Sequence, residues 1–149
     1  SPDYNARAIE ALGQGAAKSG RSVDDLDRPQ LVVCSVHEDH STALDMARNM
    51  VAQYLGQQPH IMEASGVPKS LLEAVGEVLT WPATHEQVAA AAKLVPDEIV
   101  QMLTASGTPV EAREAVAGYM SNGCTSPVLY PLGDVYATID AFAGWDGSS

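Results

Sequence analysis

His37, Glu38 and Asp39 follow directly on the apolar run Leu31–Val36, and His40 completes the tetrapeptide HEDH. An imidazole beside two carboxylates offers a group that titrates near neutral pH and several hydrogen-bond acceptors. At the exit of a strand, His37 can hold a polar group of a cofactor or substrate, and Glu38 can accept a hydrogen bond from one. The plainer reading has Glu38 and Asp39 favouring the positive end of the next helix, with His37 in solvent. A metal centre is not expected: the histidines lack the HExxH spacing, and His60 and His85 bear no sequence relation to them. Ser35 and Cys34 lie near the end of the same run. Ser35 joins His37 as a candidate cofactor contact. Cys34 reads as a small buried hydrophobe, because a Cys34–His37 pair has no third group to orient it, and Cys124 reads as structural.

Two turns widen the candidate set. In SGTP, Ser106 to Pro109, backbone N–H groups could hold a phosphate or carboxylate, and Gly107 permits a strained turn. Thr108 offers its hydroxyl to the same N–H groups, so ordinary capping accounts for the pattern. In YPLG, Pro131 and Gly133 could shape the floor of a cofactor cleft, with Tyr130 packed against it; equally, Pro131 ends a strand and Gly133 admits the chain to a helix. Gly13 and Gly15 lie inside a helical pattern and form no dinucleotide fingerprint. Trp81 and Trp145 flank helical ends and suit packing or an interface.

The elements that carry these residues follow from periodicity and caps. Ser1 and Pro2 open a first helix that Gly20 stops. Leu31–Val36 lacks polar alternation, as a strand covered on both faces should. Residues 42–55 change to helical spacing, and Pro59, Pro68 and Pro96 open further helices. Thr84 with Gln87, and Thr108 with Glu111, form capping boxes, the second strengthened by Pro109. Asn122-Gly123 ends that helix, SPVLY at Ser126–Tyr130 gives a second strand, and VYATIDAFAGW a last helix before a fraying tail, DGSS. The class is α/β and predominantly helical, with about two parallel strands.

The chain has 149 residues, with 8 Lys plus Arg against 19 Asp plus Glu, a net charge of −11. That field repels nucleic acid, and the acid excess suits a high-salt setting. Hydrophobic residues at 46% argue for a folded chain, while aromatics at 5% leave the core to aliphatic side chains. Two cysteines so far apart make no disulfide framework. No run is long enough to span a bilayer and no secretory segment is evident, so the expected setting is cytoplasmic, off the membrane.

Four stretches, GRSVDDLD (Gly20–Asp27), VVCSVHED (Val32–Asp39), PDEIVQMLTASGTPVEAREAV (Pro96–Val116) and GCTSPVLYPLG (Gly123–Gly133), occur in an order and spacing that resembles the C-terminal part of the luciferase-like (β/α)8 barrel family. The resemblance lies on the side of its F420-dependent methylenetetrahydromethanopterin reductases and covers residues 1–149 as a partial TIM barrel domain. It implies that residues 31–36 and 126–130 are the seventh and eighth barrel strands, that Thr108–Asn122 is the outer helix between them, and that residues 55–106 are a helical insertion. It also implies reduced coenzyme F420, with FMN as the alternative, as hydride carrier for a small-molecule pterin. Ser35, His37, Tyr130 and Gly133 would contact the cofactor, and His37 and Glu38 the substrate; the catalytic residues are unassigned.

Two parallel strands cannot pair their own outer edges. The expected solution is a partner that supplies the N-terminal barrel strands, or a homo-oligomer, with little catalysis by this chain alone. A fragment of a flavin-dependent monooxygenase and a non-enzymatic helical assembly module are the alternatives.

Overall fold

A computed structural model describes residues 1–147; of the tail expected to fray, residues 148–149 lie outside the described residues. The order is α1 (Pro2–Ala17), β1 (Pro29–Val36), α2 (His40–Gln57), α3 (Pro59–Ala64), α4 (Lys69–Val78), α5 (His85–Ala92), α6 (Asp97–Leu103), β2 (Ala105–Gly107), α7 (Pro109–Ser121), β3 (Ser126–Leu132) and α8 (Val135–Phe142). The helix starts are where the caps place them. Ser1 Oγ accepts from the Tyr4 N–H at 3.3 Å. Thr84 and Gln87 exchange bonds of 3.0 and 3.2 Å, and Thr108 and Glu111 do the same at the head of α7.

Among the described residues there are three parallel strands where about two were expected, and the additional one is β2. Its sequence, Ala-Ser-Gly, has no β-branched or aromatic residue, so local propensity gives no strand signal. All three of its residues are buried, and they pair with Cys34, Ser35 and Val36. Pairing and burial, rather than composition, make this segment a strand. Counting back from the last strand, β1 is therefore third from the end and not second.

The sheet order is β2-β1-β3. β1 is central, with β3 registered along it from Pro29–Ser126 to Ser35–Leu132. Parallel crossovers are right-handed, so a chain that steps from β1 to β2 and then back past β1 to β3 must place its two crossovers on opposite faces. The packing agrees. Ser35, on one face, donates its hydroxyl to the Ala43 carbonyl of α2. Val32, Cys34 and Val36, on the other, are buried in a cluster with Ala112, Val116 and Tyr119 of α7 and Ala141 of α8. A larger helical core lies on the α2 side, built from Leu44, Val51 and Leu55 with Leu72, Val75 and Val100.

The outer edge of β3 is blunted by its own sequence. Pro127 and Pro131 share one parity and cannot donate, so the N–H groups that bond β1 must come from the alternate residues. The prolines then fall on the free edge, where they discourage pairing. Arg28 fixes the start of the β1–β3 pair: Nε donates to the Gly123 carbonyl at 2.9 Å, and its backbone N–H to Thr125 Oγ1 at 2.7 Å. Arg48 ties α2 to the start of α6 through the Val95 carbonyl at 2.6 Å and the Asp97 carboxylate at 2.5 Å.

Candidate functional site

All three strands run parallel, so their carboxyl ends, and the first turns of α2, α7 and α8, share one rim. A cleft of about 480 Å³ opens there, lined by His37, Glu38, Pro109, Arg113, Asp134 and Asp140 among others. The His37 backbone N–H reaches the Gly107 carbonyl at 3.2 Å, extending the β1–β2 pairing by one residue and holding the cluster at the rim. Its ring Nδ1 accepts from the Asp39 N–H at 2.9 Å. Asp39 caps α2 by accepting from the Thr42 N–H at 2.8 Å and hydroxyl at 2.7 Å, and these bonds hold its carboxyl below the usual carboxylate value. The cleft therefore combines a guanidinium and an imidazole with three carboxylates.

His37 and Glu38 both line this cleft. The other candidates lie elsewhere. Ser35 is fully buried and its hydroxyl is committed to α2. Tyr130 is 44% exposed and pairs with Val33, on the face that β1 turns toward α2. Gly133 turns the chain into α8 with φ +75°, and a Cβ there would meet Met46 Sδ at 2.7 Å. Its role is a left-handed turn in close contact with α2. Of the SGTP stretch, Ser106 and Gly107 belong to β2 and Thr108 caps α7.

One pair has no counterpart in the sequence reading. His40 Nδ1 lies 2.9 Å from Glu111 Oε2, and the same carboxylate oxygen accepts from the Thr108 N–H at 2.8 Å and its hydroxyl at 2.9 Å. The bond to Glu111 raises the His40 pKa above its ordinary 6.5, and the bond to His40 holds Glu111 below 4.5. This links the first turns of α2 and α7 across the rim. The available signal was positional, since both residues begin helices that leave strands, but their meeting depends on β1 and β2 being neighbours.

The pair sets a pH dependence. A raised imidazole contributes stability that is complete below pH 6.5 and is lost as pH rises through the folded value. A lowered carboxyl contributes above pH 4.5 and is lost as pH falls through its folded value. The stability difference between the wild type and His40→Gln should thus be largest between these limits and shrink on either side, more so at high salt. Urea titrations across that range check it; a difference that grows as the pH becomes alkaline would contradict the pairing.

A second cavity, of about 220 Å³, lies against the first half of β1, among Leu31, Val33, Met50, Tyr54 and Met62. It is away from the carboxyl ends. Among the described residues, no group of three or more metal-ligating side chains converges, and no helix is long and apolar enough to cross a membrane.

The model of the luciferase-like monooxygenase family matches residues 1–126. The chain belongs to that family. An Archaeoglobus fulgidus protein named 5,10-methylenetetrahydromethanopterin reductase is 32% identical to this luciferase-like chain over 128 residues, covering 85% of it and 39% of the relative. A solved coenzyme F420 dependent tetrahydromethanopterin reductase from Methanopyrus kandleri matches the fold with a TM-score of 0.77 at 19% identity, over 97% of this chain and 41% of that one. The luciferase-like chain thus spans about two fifths of the length of these relatives, and its fold is that of a partial (β/α)8 barrel.

The β1 face opposite α2 leaves no room for a deazaflavin in this chain. The β1 face formed by Val32, Cys34 and Val36 is filled by α7 and α8, and burial there pushes the Cys34 thiol up to about 11. The space beside Gly107 and Gly133, where a missing Cβ could admit a ligand, is taken by Glu111 and Met46.

Proposed function

We propose that the chain is the C-terminal part of a coenzyme F420-dependent reductase that exchanges hydride between reduced F420 and a methylene-tetrahydromethanopterin-like pterin. It acts in the cytoplasm, and only once the N-terminal barrel strands are supplied by a partner segment or within a homo-oligomer. The observation that carries this reading is the 32% identity over 128 residues to the Archaeoglobus fulgidus reductase. Bound deazaflavin supplies the hydride chemistry, and the protein supplies orientation and electrostatics. In this chain His37 and Glu38 are the residues to orient polar groups of the ligands at the strand ends. Alone it lacks most of the wall that positions reactants and excludes water, so catalysis is not expected.

The family's monooxygenase description favours a second reading, in which the completed protein takes FMN. Titration with F420 and FMN, followed by fluorescence, separates the two. The chain by itself should show no saturable binding. A form completed with the N-terminal part of the Archaeoglobus reductase should bind F420 and not FMN. Preference for FMN would favour the second reading, and a folded, completed form that binds neither would overturn both.

A further inference from the structure

The cleft at the strand ends holds a guanidinium that the fold does not use. Of the five arginines in the chain, Arg7, Arg21, Arg28 and Arg48 each donate to a carbonyl or carboxylate of the protein. Arg113, partly buried on α7, has no hydrogen bond or ion pair among the described residues, although Glu38, Asp134 and Asp140 line the same cleft. Its planar set of N–H donors is therefore open to an acceptor brought by a ligand.

The three carboxylates are not equivalent. Asp134 accepts from the Tyr136 and Ala137 N–H groups at 2.8 and 3.3 Å and caps α8. The Glu38 and Asp140 carboxylates make no such bond among the described residues. Glu38 is the one set by the sheet, directly after His37, whose backbone N–H and ring are both held.

Charge decides which acceptor Arg113 takes. The chain carries −11, and three carboxylates share the cleft, so a phosphate or carboxylate would enter against the local field. An uncharged carbonyl meets no such penalty. A carbonyl beside two parallel N–H donors suits both signs: the guanidinium donates to the carbonyl, and one carboxylate takes both N–H groups on its two oxygens. Those groups stand in that order along the edge of a pterin ring, as carbonyl, ring N–H and exocyclic amino group. The corresponding edge of a flavin or deazaflavin has a second carbonyl in place of the amino group, and would set it against a carboxylate oxygen with no proton between them.

We propose that Arg113 and Glu38 together read the edge of the pterin: Arg113 donates to its carbonyl, and Glu38 accepts from its ring N–H and amino group. This rests on the reading of the substrate as a pterin, and it assigns the cleft to the substrate rather than to the hydride carrier. Both residues belong to this chain, so the preference is a property of the chain alone.

An NMR titration of the isotope-labelled chain with dimethylpterin and with dimethyllumazine, which differ by that amino group and second carbonyl, tests the proposal. Dimethylpterin should shift the amides of His37, Glu38 and Arg113 saturably, and dimethyllumazine should bind about tenfold more weakly. Arg113→Gln should weaken pterin binding about tenfold and leave the melting temperature unchanged, because Arg113 bonds nothing in the fold. Glu38→Gln should remove most of the preference, since its amide can donate to the second carbonyl. Equal affinities for the two rings, a pterin affinity that Arg113→Gln leaves intact, or no saturable shift at the rim would each overturn the inference. Inorganic phosphate run in parallel should bind more weakly than the pterin; tighter binding that depends on Arg113 would make the cleft an anion site and overturn it as well. The functional reading fails separately. A completed form that takes FMN in place of F420 removes that reading and leaves the pterin preference of the chain standing, whereas loss of the preference leaves F420 binding by the completed form untouched.

Discussion

Val116→Asp is expected to leave the chain largely unfolded at room temperature. Val116 is 1% exposed, on the side of α7 buried with Val32, Cys34 and Val36. The substitution removes about 1.5 kcal/mol or more of apolar burial and strands a carboxylate without a cationic partner, a cost of several kcal/mol. A domain of this size has about 5–15 kcal/mol in total, so most of its stability is lost. Val110, on the same helix but 56% exposed, provides the control: Val110→Asp should change stability by no more than about 0.5 kcal/mol. Thermal unfolding followed by circular dichroism compares the two. Equal melting temperatures would mean that α7 does not pack on β1 as described.

The second large effect falls on the other side of the sheet. α2 is the element on which α4, α5 and α6 pack, and Leu44 is fully buried in that core. Leu44→Ala leaves a cavity that rigid neighbours close only in part, at a cost of about 2–5 kcal/mol. With a urea dependence of about 1–3 kcal/mol per molar for a small protein, the midpoint should fall by about 1–2 M. An unchanged midpoint would show that α2 is not the spine of the helical core.

The difference between these two cores explains what was legible in the sequence. Periodicity and caps are local, so Ser1, Thr84 with Gln87 and Thr108 with Glu111 mark helix starts that the fold preserves. The apolar runs of β1 and β3 are equally local, although β1 begins earlier, at Pro29, and β3 continues to Leu132. Strand β2 is not local. Ala105, Ser106 and Gly107 have poor strand propensity and pair only because neighbouring elements bury them. Without β2 the strand order could not be derived, and the meeting of His40 with Glu111 depends on that same pairing.

The candidate site divides along the same line. His37 and Glu38 were legible because residues just past a parallel strand must stand at its carboxyl end. Ser35 was not, because its parity decides between a ligand and a helix, and it faces the Ala43 carbonyl. Gly133 shows the limit of reading a glycine as a ligand cradle: its turn needs a positive φ, and Met46 fills the space beside it. Arg113 carries no local signal of a ligand contact and lines the cleft from α7, on the face opposite α2.

The account stands on the position of β3. Solution NMR of the isotope-labelled chain, on its own, tests this most directly through contacts between strands. Cross-peaks linking Val32 and Val33 of β1 with Leu129 and Tyr130 of β3 are expected from the register. Cross-peaks between β2 and β3, with none between β1 and β3, would contradict the strand order β2-β1-β3.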